Sequence, residues 1–222
     1  MTNLDPTYAR RLMVERHVKP HGVFDERVLN ALLQIPRHEF VSPRRHSLAY
    51  SNRPLSIGYG QTMLAPLVVA QMLQALRLDG TQDVLEVGTG SGYLTAILMQ
   101  LASYVFSLER VPQLAEQASN RLQRLNYQNV DLHIGDGSQG LADMATFDVI
   151  VITASVPKIP RPLALQLHPL NGRMVIPVGD QRQQKLKLVR REANRWYAHT
   201  FATINLPALI GRYGTVPPSV NA

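Results

Sequence analysis

Hydrophobic and polar positions divide the chain into three stretches. Apolar residues recur at helical spacing from Asp5 to His17 and from Asp25 to Leu33, which predicts two helices. A stretch rich in proline, arginine and serine follows, to about residue 60. From about residue 65 to 178 the pattern alternates between strand and helix. Asp83 to Val87 reads as a strand feeding a glycine turn, and Tyr93 to Leu101 as the helix that the turn opens. Tyr104 to Leu108 reads as a second strand, ending at Glu109. Pro112 to Leu125 has proline in its first turn and apolar residues at Leu114, Ala118, Leu122 and Leu125, which predicts a helix. Val130 to Ile134 is a third strand. Phe147 to Thr153 is a fourth, continuous and apolar as buried parallel strands are. Beyond it, Lys185 to Arg190 and Trp196 to Ile204 read as an antiparallel addition to the sheet, and the residues from Thr215 onward as a frayed tail. Alternation of this kind predicts a doubly wound α/β sheet.

The turn itself, Gly88-Thr89-Gly90-Ser91-Gly92, carries the chemistry. A dinucleotide fingerprint wants a third glycine three places after its second, and Tyr93 stands there instead. Glu86 lies two places before the turn and is expected to face the pocket the glycines make. A carboxylate there is a poor neighbour for a pyrophosphate and a good one for the ammonium of a methionine-like group. That combination points to S-adenosylmethionine. Glu109 falls about twenty residues past the turn, where an acid accepts hydrogen bonds from ribose hydroxyls. In Gly135-Asp136-Gly137, Asp136 is positioned to accept from an adenine amino group while the glycine backbone lies close to the ring. Glu86, Glu109 and Asp136 each end a predicted strand, at the sheet edge where open α/β sheets bind ligands. With Gly88, Thr89, Gly90, Gly92 and Gly137, they form the expected cofactor site.

Composition narrows the picture further. A chain of 222 residues is long enough for one sizeable domain. It has no cysteine, which excludes disulfides, thiolate metal sites and a cysteine nucleophile. Seven scattered histidines show no metal-ligand spacing, so no metal is expected. No apolar stretch reaches membrane-spanning length and the N-terminus has no signal-peptide pattern, so a cytoplasmic location without membrane attachment is expected. The net charge of +7 suits acidic substrates. Arginines are denser between Arg182 and Arg195, yet no aromatic-interleaved basic motif or zinc module is present, and nucleic acid is not the expected partner.

The N-terminal third is more distinctive. Arg27-Val28-Leu29-Asn30-Ala31-Leu32 runs into Ile35-Pro36-Arg37-His38-Glu39-Phe40-Val41, followed by Ala49-Tyr50, Pro54-Leu55-Ser56-Ile57-Gly58 and Gly60-Gln61-Thr62. Together with the glycine turn, Gly135-Asp136-Gly137 and Ile176-Pro177-Val178-Gly179, this closely resembles the protein-L-isoaspartate O-methyltransferases, from about Leu12 to Gly211. The resemblance implies a Rossmann-like methyltransferase sheet of the seven-stranded type behind an N-terminal helical cap. It implies one domain, with cap and acceptor segment over residues 1–64, core over 65–214 and tail over 215–222. The implied reaction is methylation of isoaspartyl carboxylates in damaged proteins, with S-adenosylhomocysteine as product. The implied acceptor site comprises Ile57, Gln61, Thr62, Met63, Pro66 and Leu206, with Thr62 and Leu64 at the reacting centre. Pro36-Arg37-His38 is expected to join the cap to the core, Met63 and Met72 to pack, and Tyr50, Asn52 and Thr153 are open candidates near the acceptor.

Two departures stand on the acceptor side. The family reads Gly-Gln-Thr-Ile-Ser followed by Gln or Ala and then Pro, and its serine hydroxyl lies beside the substrate carboxylate. Here the segment is Gly60-Gln61-Thr62-Met63-Leu64-Ala65-Pro66, with leucine in the place of serine. Losing a hydrogen bond to a charged group costs roughly 1.5–3 kcal/mol. The family's Val-Pro-Leu near the C-terminus is here Leu206-Pro207-Ala208. Three outcomes stay open: an isoaspartyl methyltransferase in which Thr62 and backbone amides orient the acceptor, a methyltransferase with another acceptor, and a cofactor-binding homologue without turnover.

Overall fold

The computed structural model describes residues 5–141, 144, 146–180, 182–193 and 195–215. Helix α1 (Pro6–Met13) starts where Asp5 accepts a hydrogen bond from Thr7 N and where Pro6 needs no partner for a missing N–H. The predicted helix does not stay α-helical to His17. It widens into a π turn over Val14–Val18 and tightens into a 3₁₀ turn over Lys19–His21, where Pro20 has no N–H to continue the ladder. Helix α2 (Glu26–Gln34) is capped by Asp25 and buries Val28, Leu29, Ala31 and Leu32. The stretch read as irregular contains a hairpin, β1 (Leu55–Gly58) and β2 (Gln61–Met63), turning through Tyr59 and Gly60 at positive φ. Strands of four and three residues are too short to show an alternating pattern.

After α3 (Pro66–Leu76) the chain enters a seven-stranded sheet. Its strands are β3 (Asp83–Val87), β4 (Tyr104–Glu109), β5 (Val130–Ile134), β6 (Val149–Ile152), β7 (Arg173–Gly179), β8 (Gln184–Glu192) and β9 (Arg195–Ile204). Helices α4 (Tyr93–Leu101), α5 (Pro112–Arg124) and the short α6 (Arg161–Leu165) lie between them. The spatial order is β5-β4-β3-β6-β7-β8-β9. The first five of these run parallel, and β8 and β9 add antiparallel, as expected for the runs Lys185 to Arg190 and Trp196 to Ile204. The fourth predicted strand is shorter than expected at both ends: Phe147 pairs separately with Leu167, and Thr153 has begun to turn. Of the predicted tail, Thr215 bridges to Ile210, and residues 216–222 lie outside the described residues.

Alternation along the strands sends side chains to opposite faces. Val84, Val105, Val149, Val151 and Val175 join the apolar cluster that also holds the buried residues of α2, α3 and α4. Leu85, Val87, Leu108, Ile150, Ile152 and Ile176 form the second cluster, with Leu163 of α6. The strand order reverses between β3 and β6, because the chain goes outward to β4 and β5 before returning. A crevice must open at the carboxyl ends of β3 and β6, and the glycine turn follows β3 there.

Leu85 is fully buried at the centre of the sheet, whereas Leu170 is 70% exposed. Leu85→Ala is expected to cost about 2–5 kcal/mol in urea unfolding, and Leu170→Ala to stay within about 0.5 kcal/mol.

Candidate active site

The glycine turn is held by the ends of three strands. Gly88 N donates to Leu108 O at 2.8 Å, and Thr153 Oγ1 lies 2.9 Å from Gly88 O and 3.1 Å from Val87 O. Gly88 has φ +97°, and a Cβ there would run into Thr153 Oγ1. Only glycine suits both the backbone angle and the space. Gly90 N donates to Glu109 Oε2 at 2.8 Å, and Val111 N donates to Glu109 Oε1 at 2.9 Å. These two amides fix the Glu109 carboxylate at the end of β4, and each oxygen keeps a lone pair for a further donor.

Opposite the turn stands the hairpin. Ile57, Gln61, Thr62, Met63 and Leu64 line the same cavity as Gly88, Thr89, Gly90, Glu109, Gly137 and Thr153. The expected cofactor and acceptor segments, more than twenty residues apart in the chain, therefore share one enclosure. Pro207 to Ile210 complete the wall. Ser155 draws this C-terminal segment in, since Ser155 N donates to Pro207 O at 2.8 Å and Leu209 N donates to Ser155 O at 2.7 Å. Sequence reasoning missed Tyr93, Leu108, Arg110, Val111 and Ala154 as wall residues. All but Tyr93 lie at or just past the carboxyl ends of strands, which is the signal that could have found them.

Glu86 corrects an expectation. It is fully buried and does not line the cavity. Alternation along β3 turns its side chain under α4, where Thr95 Oγ1 and Ser107 Oγ each donate to Oε2 at 2.6 Å. Ser107 Oγ also lies 2.6 Å from Thr89 Oγ1, so the carboxyl supports the turn from behind. Its Oε1 has no partner. Burial pushes this carboxyl up to about 8, against the hydrogen bonds from Ser107 and Thr95 and with the nearby Glu109 adding to the rise.

Asp136 also departs from its expected place. Ser138 N and Ser138 Oγ donate to Oδ1 at 3.0 and 2.7 Å, and Arg212 N donates to Oδ2 at 2.7 Å. The carboxylate pins the 211–213 segment to the turn after β5, while its neighbour Gly137 faces the cavity. Gly92 caps α4 with φ +85° and packs against Ala118, away from the wall. Pro66 begins α3 and is likewise off the wall. Leu206 lines an adjoining cavity, which shares Thr62, Pro207 and Ala208 with the first. Tyr50 hydrogen bonds to His38 Nδ1 at 2.7 Å, and Asn52 Oδ1 accepts from Leu67 N at the start of α3. Neither touches the cavity wall. Arg37 donates from Nε to Ala49 O and from a terminal nitrogen to Leu64 O, both within residues 1–64, and reaches the core by stacking over the Tyr93 ring at 4.5 Å. Met63 and Met72 are both buried.

Among the described residues no group of three or more His, Asp or Glu could hold a metal ion, and no helix is long and apolar enough to cross a membrane.

A glycine cradle that a Cβ would fill, beside a fixed carboxylate with open lone pairs, fits the methionine and ribose parts of S-adenosylmethionine. Fold and cavity define a Rossmann-like, S-adenosylmethionine-dependent methyltransferase. Within that class the chain belongs to the protein-L-isoaspartate(D-aspartate) O-methyltransferase family, whose pattern matches residues 9–207. A protein-L-isoaspartate O-methyltransferase of Protochlamydia amoebophila (strain UWE25) is 45% identical over 204 residues, 91% of this chain and 97% of the relative. That of Koribacter versatilis (strain Ellin345) is 46% identical over 208 residues, 94% of this chain and 93% of its own. A solved protein-L-isoaspartate O-methyltransferase superposes with a TM-score of 0.81 at 26% identity, covering 95% of this chain and 67% of that one. A Plasmodium falciparum chain solved with S-adenosyl-L-homocysteine shares the fold, with a TM-score of 0.74 at 23% identity over 91% of this chain and 98% of that one.

Gly88→Ala is expected to abolish binding of S-adenosylhomocysteine in calorimetry while circular dichroism stays native-like, because strain and the Thr153 clash fall on the turn. Glu86 gives a pH signature. Its folded pKa of about 8 lies above the ordinary 4.5, so between those values the folded state holds a proton that the unfolded chain has released. This group's contribution to stability is complete below about pH 4.5 and is lost as pH rises through about 8. Glu86→Gln should flatten the dependence of Tm on pH across that window.

Proposed function

We propose that the chain is a carboxyl O-methyltransferase that methylates L-isoaspartyl residues of damaged proteins, a repair activity in the cytoplasm. The observation that carries this reading is the single cavity joining the glycine turn to the segment Ile57 to Leu64. When bound, S-adenosylmethionine supplies a sulfonium methyl that a carboxylate oxygen can take directly, leaving S-adenosylhomocysteine. Gly88, Thr89, Gly90, Glu109 and Gly137 hold the cofactor, while Glu86, Gly92 and Asp136 keep its binding loops in shape. Ile57, Gln61, Thr62, Met63 and Leu206 bound the acceptor, and Pro66 fixes where that segment enters α3. Cap, acceptor segment and core act as one domain.

The chemistry asks for alignment and dryness more than for proton transfer. An isoaspartyl carboxylate is already ionised near neutral pH and needs no base. Rate comes from holding the two reactants in line and keeping water out. Leu64, 5% exposed on the cavity wall, serves the second need and cannot serve the first. Thr62, on the same wall, carries a hydroxyl that orients the carboxylate in this reading. The apolar Leu64 side chain also favours a second reading, in which the same transfer serves a different carboxylate.

Labelled methyl transfer to an isoaspartyl peptide and its aspartyl twin tests both. The native protein is expected to label only the isoaspartyl peptide, and Leu64→Ser to do so about ten- to a hundredfold faster if the restored hydrogen bond acts in the transition state. No label on the isoaspartyl peptide, with either protein, would overturn the repair reading.

A further inference from the structure

Behind the acceptor end of the cavity lies a buried cation that the reaction as described does not use. Arg37, from the turn after α2, is fully buried. Its Nε donates to Ala49 O at 2.8 Å and one terminal nitrogen donates to Leu64 O. The guanidinium carbon sits 4.5 Å from the centroid of the Tyr93 ring. The other terminal nitrogen has no hydrogen-bond partner, and neither does the buried Tyr93 hydroxyl. Leu64 and Tyr93 both line the cavity, so the guanidinium stands one side chain behind its wall.

A buried guanidinium is normally matched by a carboxylate. Among the described residues no carboxylate pairs with Arg37. The titratable groups nearest it are Tyr93 and Tyr50, neither of them negatively charged near neutral pH, and burial lowers its pKa. Arginine stays charged even so. Two carbonyls and the ring and hydroxyl of Tyr93 partly solvate that charge, and no carboxylate neutralises it on the side of the wall it supports. With Leu64 and Tyr93 excluding water between charge and cavity, screening is weak.

We propose that Arg37 is a specificity-determining positioning residue whose unpaired buried charge, acting through Leu64 and Tyr93, makes the acceptor end of the cavity select an anionic carboxylate over its neutral amide. The inference rests on the carboxyl-methyltransferase reading and adds the means by which a site lacking the family's serine still recognises an anion. Methyl transfer consumes the negative charge on the acceptor, so this field favours the bound ground state more than the transition state. Its loss should therefore raise KM and raise kcat, so that kcat/KM falls by less than KM rises.

The test compares two peptides, one with a free isoaspartyl carboxylate and one with that carboxylate capped as a carboxamide. Their binding is measured by calorimetry with S-adenosylhomocysteine present, for native protein, Arg37→Lys and Arg37→Gln. Native protein should bind the carboxylate peptide at least about tenfold more tightly than the amide. Arg37→Lys should keep most of that preference, and Arg37→Gln should lose it, the amide peptide being affected far less. Equal losses for both peptides would mean that Arg37 only holds Leu64 in place, and would overturn the proposal.

Should Arg37→Gln fail to fold, the native protein decides alone. A preference set by a buried charge persists between about 0.05 and 1 M salt, whereas one set by surface cations collapses over that range and overturns the proposal. Binding and turnover separate the two readings. A native preference for carboxylate without methyl transfer sinks the repair function and leaves Arg37 standing. Methyl transfer without any carboxylate preference does the reverse.

Discussion

The glycine turn after β3 is fastened to its neighbours at the one place where the sheet order reverses. Leu108 of β4 accepts from Gly88, Glu109 accepts from Gly90, and Thr153 beyond β6 reaches the carbonyls of Val87 and Gly88. The Thr153 contact needs glycine at position 88, where a Cβ would run into the Thr153 hydroxyl. The turn is held in this shape because β4 and β6 flank β3 in parallel and bring Leu108, Glu109 and Thr153 to its backbone. The cavity, the direction of α4 and the position of Glu109 all depend on that convergence.

Two fully buried ionisable groups flank the site and solve the cost of burial in different ways. Glu86 gives up its charge: desolvation lifts its pKa to about 8, so near neutral pH it holds a proton and behaves as a neutral hydrogen-bonding link to Ser107 and Thr95. Arg37 keeps its charge, because a guanidinium does not deprotonate, and shares it among the Ala49 and Leu64 carbonyls and the face of Tyr93. The neutral group stands behind the glycine turn, and the charged one behind Leu64 and Tyr93.

The cavity wall facing the glycine turn is assembled from distant pieces. The β1–β2 hairpin supplies Ile57 to Leu64, and a segment some 140 residues later supplies Pro207 to Ile210, held by backbone hydrogen bonds to Ser155. Leu64 and Met63 of the first piece and Leu209 and Ile210 of the second give this wall an apolar surface opposite the glycine turn.

Periodicity and spacing alone placed four strands and two helices of the βα core, because each of those signals is local, but not α3, α6 or the parallel strand β7. The apolar runs of β3, β4 and β5, the glycine turn and α4 stand where the pattern put them, with Glu109 at the end of its strand. The short β1–β2 hairpin escaped because three or four residues cannot show a period, and the π turn after α1 because nothing in the apolar pattern distinguishes it from an α-helix. Glu86 and Asp136 were found as polar residues at the right edge of the sheet, yet their orientations were not legible. One turns under α4 to meet Thr95 and Ser107, and the other meets Arg212, a residue 76 positions away. Residue types and local spacing determined which chemistry the chain could carry. Only tertiary packing decided which carboxylate faces the cavity and which lies buried behind it, since a side chain's direction depends on partners that folding brings from elsewhere in the sequence.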